Sequence, residues 1–145
     1  MRSTGVHHID LVVSDLARSL EFYRTLLSPA GWTEATEIVG ERGEPVTYLW
    51  GPGSSIGLRA APDGDASLPV DRYRVGLHHI ALEVPTCADV DACAQRVIEL
   101  GGRITDGPRA FTEYPADYYG VFVRDPDDLK LEIVSQEPRS PRSEP

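Results

Sequence analysis

The sequence predicts an α+β fold in which two βαβββ modules pair into one curved mixed sheet. The main observation is an internal repeat: VHHIDLVV at 6–13 recurs as LHHIALEV at 77–84, which is 71 residues later. Each copy is followed by the same succession of patterns, first a helical period and then three short strands. A chain of 145 residues suits one ordinary domain, so both modules must share a single fold.

The first module begins with a strand, because apolar residues alternate through the first copy of the repeat. A helix is predicted from Asp15 to about Leu27, where apolar residues recur every three to four positions. Turn-rich segments then separate three short strand patterns, with Gly51-Pro52-Gly53 as a hairpin turn. These predicted strands are 32–38, 45–50 and 55–60.

The second module repeats this order. Its first strand is the second copy of the repeat, and a helix is predicted from Cys87 to Leu100, with Thr86 and Asp89 as a capping pair. Asp125-Pro126-Asp127-Asp128 is the predicted turn between the last two strands. The three strands predicted after the helix are 103–105, 118–124 and 130–135.

The predicted domain covers residues 1–136. Module one spans about 5–60, a linker rich in Pro, Asp and Gly spans about 61–73, and module two spans about 74–136. The segment 137–145 is rich in Pro, Ser, Arg and Glu, and we expect it to be a disordered tail.

Composition excludes several classes of partner. The formal charge is −9 and the isoelectric point about 4.8, the wrong sign for binding nucleic acid or an anionic membrane surface. No stretch approaches the roughly 20 apolar residues of a membrane helix, and the N-terminus has no signal-peptide core. We therefore expect a cytoplasmic protein that binds a small molecule. Independently of composition, we also expect a homodimer.

Strand periodicity places a set of possible metal ligands on one face. If Ile9 and Leu11 face the helix, His8 faces the opposite side, and the same rule applies to His79 and to Glu132 in the last strand. Two imidazoles and one carboxylate suit a divalent metal, either Fe2+, Mn2+, Ni2+, Co2+ or Zn2+, and leave positions open for a substrate. The neighbouring histidines at 7 and 78 are expected on the helix side, as packing residues.

Further side chains are candidates for the same site. Asp10 is a candidate catalytic proton acceptor, or else a hydrogen-bonding partner of a ligand histidine. Arg59 is a candidate clamp for a substrate carboxylate. Tyr119, in preference to its neighbour Tyr118, is a candidate substrate-binding residue, with core packing as the alternative. The other candidate substrate-binding residues, for which core or dimer contact is the alternative, are Tyr48 and Trp50.

Several motifs together resemble the vicinal oxygen chelate superfamily, which includes glyoxalases, bleomycin resistance proteins and extradiol dioxygenases. They are His8-Ile9-x-Leu11-x-Val13-x-Asp15-Leu16 with Ser19-Leu20-x-Phe22-Tyr23, His79-Ile80-Ala81-Leu82-x-Val84, and Phe122-Val123-Arg124-Asp125-Pro126-Asp127 leading to Leu131-Glu132-Ile133. The resemblance covers residues 5–136. It implies paired βαβββ modules, joined within one chain or exchanged between two chains of a dimer, with a metal where the sheets meet.

The resemblance also implies roles for individual positions. The metal positions of the superfamily map onto His8, Gly57, His79 and Glu132. Glyoxalase-type lyases usually carry Glu or Gln where this chain has Gly57, which counts against simple glyoxalase activity. A His-His-Glu set is instead typical of extradiol dioxygenases and of fosfomycin-modifying thiol transferases.

The expected function is that of a divalent-metal-dependent enzyme. It would bind a small substrate through vicinal oxygens and stabilise an enediolate-, catecholate- or alkoxide-like intermediate, as a lyase or isomerase or as a dioxygenase. Three alternatives stay open: a non-catalytic antibiotic-binding protein of the bleomycin-resistance type, a thiol transferase of the fosfomycin-resistance type, and an inactive or regulatory relative.

Overall fold

The computed structural model describes residues 5–62, 70–114 and 117–138. Both halves have the predicted order of one strand, one helix and three strands, which confirms the α+β class. The first half contains β1 (His8–Val13), α1 (Leu16–Leu27), β2 (Glu34–Val39), β3 (Pro45–Gly51) and β4 (Ser54–Ala60). The second half contains β5 (Ile80–Glu83), α2 (Cys87–Glu99), β6 (Arg103–Ala110), β7 (Tyr119–Arg124) and β8 (Lys130–Ser135).

Local side-chain chemistry sets where the helices begin. The Asp15 side chain caps α1 by accepting a hydrogen bond from the backbone N–H of Arg18 at 3.0 Å. Thr86 and Asp89 form the reciprocal capping box predicted for α2. A short 3-10 helix, Ser28–Ala30, follows α1 and ends at Gly31 with a φ of 84°.

Each module forms its own four-stranded mixed sheet. The strand orders are β1-β4-β3-β2 and β5-β8-β7-β6, in which β1 with β4 and β5 with β8 are parallel and the other pairs antiparallel. Because β1 and β5 lie at the edges, each pairs with one strand only. Among the described residues, the predicted pair of βαβββ modules is thus present as two mixed sheets, each hydrogen-bonded within its own module.

The two modules contact each other through their helices. α1 packs on β3 and β4, α2 packs on β6 to β8, and the helices pack together over one buried apolar cluster. Polar contacts strengthen this contact: the buried Tyr23 hydroxyl donates to Asp125 at 2.9 Å, and the backbone N–H of Ser14 donates to Asp127 at 3.0 Å. Module one is thus tied to the β7–β8 turn of module two.

Strand β6 is longer than the sequence predicts, since it continues through Gly107-Pro108 to Ala110. An edge strand tolerates proline, and the register with β7 shifts twice along this segment. The predicted linker and tail fall partly outside the described residues, at 63–69 and 139–145. No helix in the described ranges is long and apolar enough to cross a membrane.

Candidate functional site

Each sheet has one face covered by its helix and one face without a helix, which we call the first and second open face. In β1 the residues alternate as predicted: Leu11 and Val13 are buried on the helix side, and His8 and Asp10 are exposed on the open side. Cross-strand register brings further candidate residues to the same face. The first open face carries His8, Asp10, Tyr48, Trp50, Gly57 and Arg59.

Asp10 is the centre of a polar cluster on the first open face. Its carboxylate accepts hydrogen bonds from Arg59 at 2.5 Å and from the Tyr48 hydroxyl at 3.2 Å. Arg59 also pairs with Glu44 at 3.0 Å, so one guanidinium lies between two carboxylates. The hydrogen bond to Asp10 is the largest cause that raises the pKa of Arg59. Burial, followed by the hydrogen bond to Asp10, raises the pKa of Tyr48.

A side chain at position 57 would not fit, because neighbouring side chains occupy the space above Gly57. It pairs with Asp10 on one side and Tyr48 on the other, and their side chains meet over its Cα. A Cβ at this position would lie 2.8 Å from Cε1 of Tyr48 and still closer to the Asp10 carboxylate. The space above Gly57 is thus occupied by the Asp10 carboxylate and the Tyr48 ring.

Aromatic rings border this cluster. The rings of His8 and Tyr48 meet edge to face with centroids 5.7 Å apart, and Tyr48 lies 6.1 Å from Trp50. The Trp50 indole N–H donates to Thr36 at 3.2 Å, and the residue stays partly exposed. Three of the four candidate substrate-binding residues, Tyr48, Trp50 and Arg59, therefore share the face of His8.

The second open face brings two of the three predicted metal ligands together. Nε2 of His79 lies 3.5 Å from Oε2 of Glu132, whose side chain is only 4% exposed. The Tyr118 hydroxyl donates to the other oxygen of Glu132 at 2.7 Å. Burial, followed by this hydrogen bond, raises the pKa of Tyr118.

The two neighbouring tyrosines point to opposite sides of the second sheet. Tyr119 packs against the core and donates its hydroxyl to Asp91 of α2 at 2.8 Å, whereas Tyr118 reaches Glu132. The structure thus places Tyr119, the expected site residue, on the helix side. The register across the turn at 125–128 indicates the correct tyrosine, because it sets Phe122 opposite Glu132. Tyr118 lies four residues before Phe122 and therefore shares the open face with it.

The repeat also produces matching histidine pairs at the two sheet edges. Nδ1 of His7 lies 2.9 Å from Nδ1 of His8, and Nδ1 of His78 lies 2.7 Å from Nδ1 of His79. His7 and His78 are exposed and contact their neighbours instead of packing under the helices. Each contact uses Nδ1, and Nε2 of His79 faces Glu132.

One chain does not assemble the complete predicted ligand set. His79 and Glu132 lie together, but within the described ranges no three His, Cys, Asp or Glu side chains form a group able to hold a metal. His8 lies on the other sheet, beside Asp10 and Tyr48. The candidate site is therefore present as two halves, one on each open face.

Comparison with known proteins identifies the fold and the family. A family model described as "Glyoxalase/Bleomycin resistance protein/Dioxygenase superfamily" matches residues 5–133. The chain is 28% identical over 137 residues to "Uncharacterized protein YqjT" of Bacillus subtilis (strain 168), with 90% of this chain and 98% of that protein covered. It is 26% identical over 137 residues to a catechol-2,3-dioxygenase of the same organism, with 94% of this chain and 43% of that longer protein covered.

Solved structures agree with this family. A glyoxylase/bleomycin resistance protein/dioxygenase domain from Frankia sp. EAN1pec has a TM-score of 0.75 and 28% identity, with 92% of this chain and 98% of that chain covered. FosX, a fosfomycin resistance protein of Listeria monocytogenes complexed with Mn(II) and sulfate ion, shares the fold, with a TM-score of 0.63, 20% identity, and 92% and 93% covered. The repeat, the two βαβββ modules and these matches together show that the chain belongs to the Glyoxalase/Bleomycin resistance protein/Dioxygenase superfamily.

Proposed function

We propose that this chain is a divalent-metal-dependent enzyme that binds a small substrate through two neighbouring oxygen atoms. Its metal ligands are His8, His79 and Glu132. The observation that carries the proposal is the contact of His79 with Glu132 on an open sheet face, 3.5 Å between nitrogen and oxygen. These donor types suit Fe2+, Mn2+, Ni2+, Co2+ or Zn2+.

The surroundings of Glu132 fit a cation. A carboxylate that is almost fully buried is costly unless a positive charge or hydrogen bonds compensate it. Within the described ranges Glu132 has no ion pair with arginine or lysine, and its partners are His79 and Tyr118. Metal–ligand bonds of about 2.0–2.2 Å set two ligands of one ion roughly 3 Å apart. The separation of His79 and Glu132 is near that value.

A divalent ion held by His8, His79 and Glu132 would supply positive charge beside two neighbouring substrate oxygens and would stabilise negative charge that develops on them. The protein supplies orientation and proton transfer. Tyr118 fixes the rotamer of Glu132 through its hydrogen bond. Asp10 accepts a proton from the substrate. Arg59 and Tyr48 donate hydrogen bonds to the Asp10 carboxylate and hold it in place.

Two reaction types share this binding step. A ring-cleaving dioxygenase reaction is supported by the similarity to part of a catechol-2,3-dioxygenase. A lyase or isomerase reaction is supported by the Asp10 carboxylate, which gives the site a proton acceptor despite the glycine at position 57. In both cases the substrate class is a small molecule with vicinal oxygens.

The test is metal binding by the purified protein. Metal-free protein is reconstituted without oxygen with each of the five ions, and bound metal is measured after gel filtration. We expect one ion per chain in the wild type. His79→Ala and Glu132→Ala should weaken binding by more than about 100-fold, because loss of a group that merely orients a ligand already costs about 10- to 100-fold.

Glu83→Ala is the matched control, since it removes an exposed carboxylate from the neighbouring strand β5. It should bind metal as the wild type does. The proposal is wrong if the wild type, His79→Ala and Glu132→Ala all retain equally little metal, or if Glu83→Ala weakens binding as much as Glu132→Ala.

A further inference from the structure

We propose that Lys130 binds a carboxylate of the substrate, so that the site takes small molecules in which a carboxylate accompanies the two neighbouring oxygens. The inference rests on the proposed function and narrows its substrate class. It starts from the position of Lys130, the only lysine of the chain, at the beginning of β8. Lys130 lies two residues before Glu132 and therefore on the same open face.

Lys130 lies beside both proposed ligands of the second open face. Ile80 pairs with Leu131 in parallel register, so His79, directly before Ile80, lies next to Lys130 on the neighbouring strand. The Cα atoms of Lys130 and Glu132 are about 7 Å apart, because each strand residue advances about 3.3 Å. A small molecule a few bonds long can therefore reach both the metal position and the lysine.

The Phe122 ring keeps the Lys130 ammonium on this face. Nζ of Lys130 lies 4.0 Å from the centroid of the ring, a distance at which a cation is attracted to an aromatic face. The same ring meets His79 edge to face at 6.5 Å. Phe122 is only 7% exposed and packs edge to face on the buried Phe111, so its own position is fixed. The ammonium is thus held beside the proposed metal ligands.

The acidic groups around Lys130 have other partners. The Glu132 carboxylate contacts an imidazole and a phenol hydroxyl. Asp106 on the edge strand β6 pairs through both carboxylate oxygens with Arg109, at 2.9 and 3.0 Å. In the part of the chain that the structure describes, no acidic group lies within ion-pair distance of Lys130. Its charge is therefore available to a ligand.

A second cation lies directly across from Lys130. Arg124 on β7 is its cross-strand partner, and like charges in such a pair destabilise a sheet. Asp128 lies 3.9 Å from Nε of Arg124 and also pairs with Arg103, so one carboxylate serves two arginines. Nε of Arg124 is buried without a hydrogen-bond partner among the described residues. This end of the face has an excess of positive charge in a chain whose formal charge is −9, and a bound anion would relieve it.

Arg59, the carboxylate clamp that the sequence suggests, is less suited to the role. Its two terminal nitrogens contact Asp10 at 2.5 Å and Glu44 at 3.0 Å. A guanidinium that is already shared by two carboxylates has little charge left for a third. The Lys130 ammonium is a compact charge with three donors, and one such charge matches one carboxylate.

The test compares two ligands that differ in charge, 3,4-dihydroxybenzoate and its methyl ester, since both present two neighbouring oxygens. Protein loaded with the metal that it binds is titrated with each ligand in a calorimeter, without oxygen. Lys130→Met keeps the length and the apolar contact with Phe122 but removes the charge. It should weaken binding of the acid by about 10-fold or more, because a hydrogen bond between charged groups is lost, and should leave binding of the ester nearly unchanged. Lys130→Arg should keep most of the affinity for the acid.

A second measurement uses the wild type alone. Because the chain has one lysine, acetic anhydride labels a single side-chain ammonium, and mass spectrometry follows the labelling of Lys130 apart from that of the N-terminus. The acid should protect Lys130 from acetylation in the metal-loaded protein, and the ester at the same occupancy should protect it less.

Arg96→Met is the matched control, since it removes an exposed cation from α2. It should bind both ligands as the wild type does. The inference is overturned if Lys130→Met binds the acid as tightly as the wild type, if it weakens the acid and the ester equally, or if Arg96→Met weakens the acid as much. In each of these cases metal and ester still bind to the wild type. A wild type that binds no metal would refute the proposed function, and the inference with it.

Discussion

The two modules have the same strand order but place their carboxylates on different strands. In module one, β1 carries Asp10 and the paired position on β4 is Gly57. In module two, β5 carries Ala81 and the paired position on β8 is Glu132. Each open face therefore has one carboxylate and one small residue at the same cross-strand pair, in reciprocal positions.

The partners of these two carboxylates also differ. Asp10 is neutralised by Arg59 and accepts the Tyr48 hydroxyl, whereas Glu132 has a histidine and a tyrosine as its partners. A carboxylate that already pairs with arginine is a poor metal ligand, and one that is buried beside an imidazole is a good one. Of Asp10 and Glu132, Glu132 is therefore the better suited to bind a metal.

A substitution at Gly57 places carboxylates on both strands of the Asp10–Gly57 pair and so tests the reciprocal arrangement of the two modules. Gly57→Glu should lower the free energy of unfolding by about 3 kcal/mol, because the new side chain overlaps Asp10 and Tyr48 and sets a second negative charge beside Asp10. Asp10→Ala with Gly57→Glu recreates the order of module two and should regain most of this loss. Urea unfolding measures both variants, and a double variant no more stable than Gly57→Glu would contradict the crowding argument.

The hydrogen bond from Tyr118 to Glu132 can be removed without changing any proposed metal ligand. Tyr118→Phe deletes the hydroxyl that holds Glu132 and should weaken metal binding by about 10- to 100-fold with little change in fold. Tyr119→Phe is its matched control, since that hydroxyl bonds to Asp91 on the helix side. Metal titrations of the two variants check the difference. Equal affinities would show that the Tyr118 hydrogen bond does not orient the carboxylate.

Both modules contain a pair of neighbouring histidines joined through their Nδ1 atoms, and the role of this contact can be tested by substitution. His7→Phe and His78→Phe remove the Nδ1 contacts of His8 and His79, the proposed ligands, and should weaken metal binding by about 10-fold each. His7→Asn and His78→Asn keep a polar group near the position of Nδ1 and should restore most of the affinity. If the asparagine variants are as weak as the phenylalanine variants, the first histidine of each pair acts through something other than this contact.

Much of the site could be predicted from periodicity. Two-residue alternation in β1 and β8 sets the sides on which His8, Asp10 and Glu132 lie, because a strand has only two faces. The same reasoning, applied through the register of β7 with β8, would have selected Tyr118 in place of Tyr119. The contacts of Arg59 with Asp10 and Glu44 depend on side-chain conformations over three strands, which periodicity does not specify.

The sequence by itself determined the duplication, the order of the elements and the face on which each candidate ligand lies, since all three follow from local patterns of apolar residues. Only the tertiary structure decided how the two modules meet. Their orientation depends on the packing of α1 against α2 and on contacts such as Tyr23 with Asp125, which join residues 102 positions apart. Such distant contacts have no periodic signature, because they arise from the shapes of two complementary surfaces.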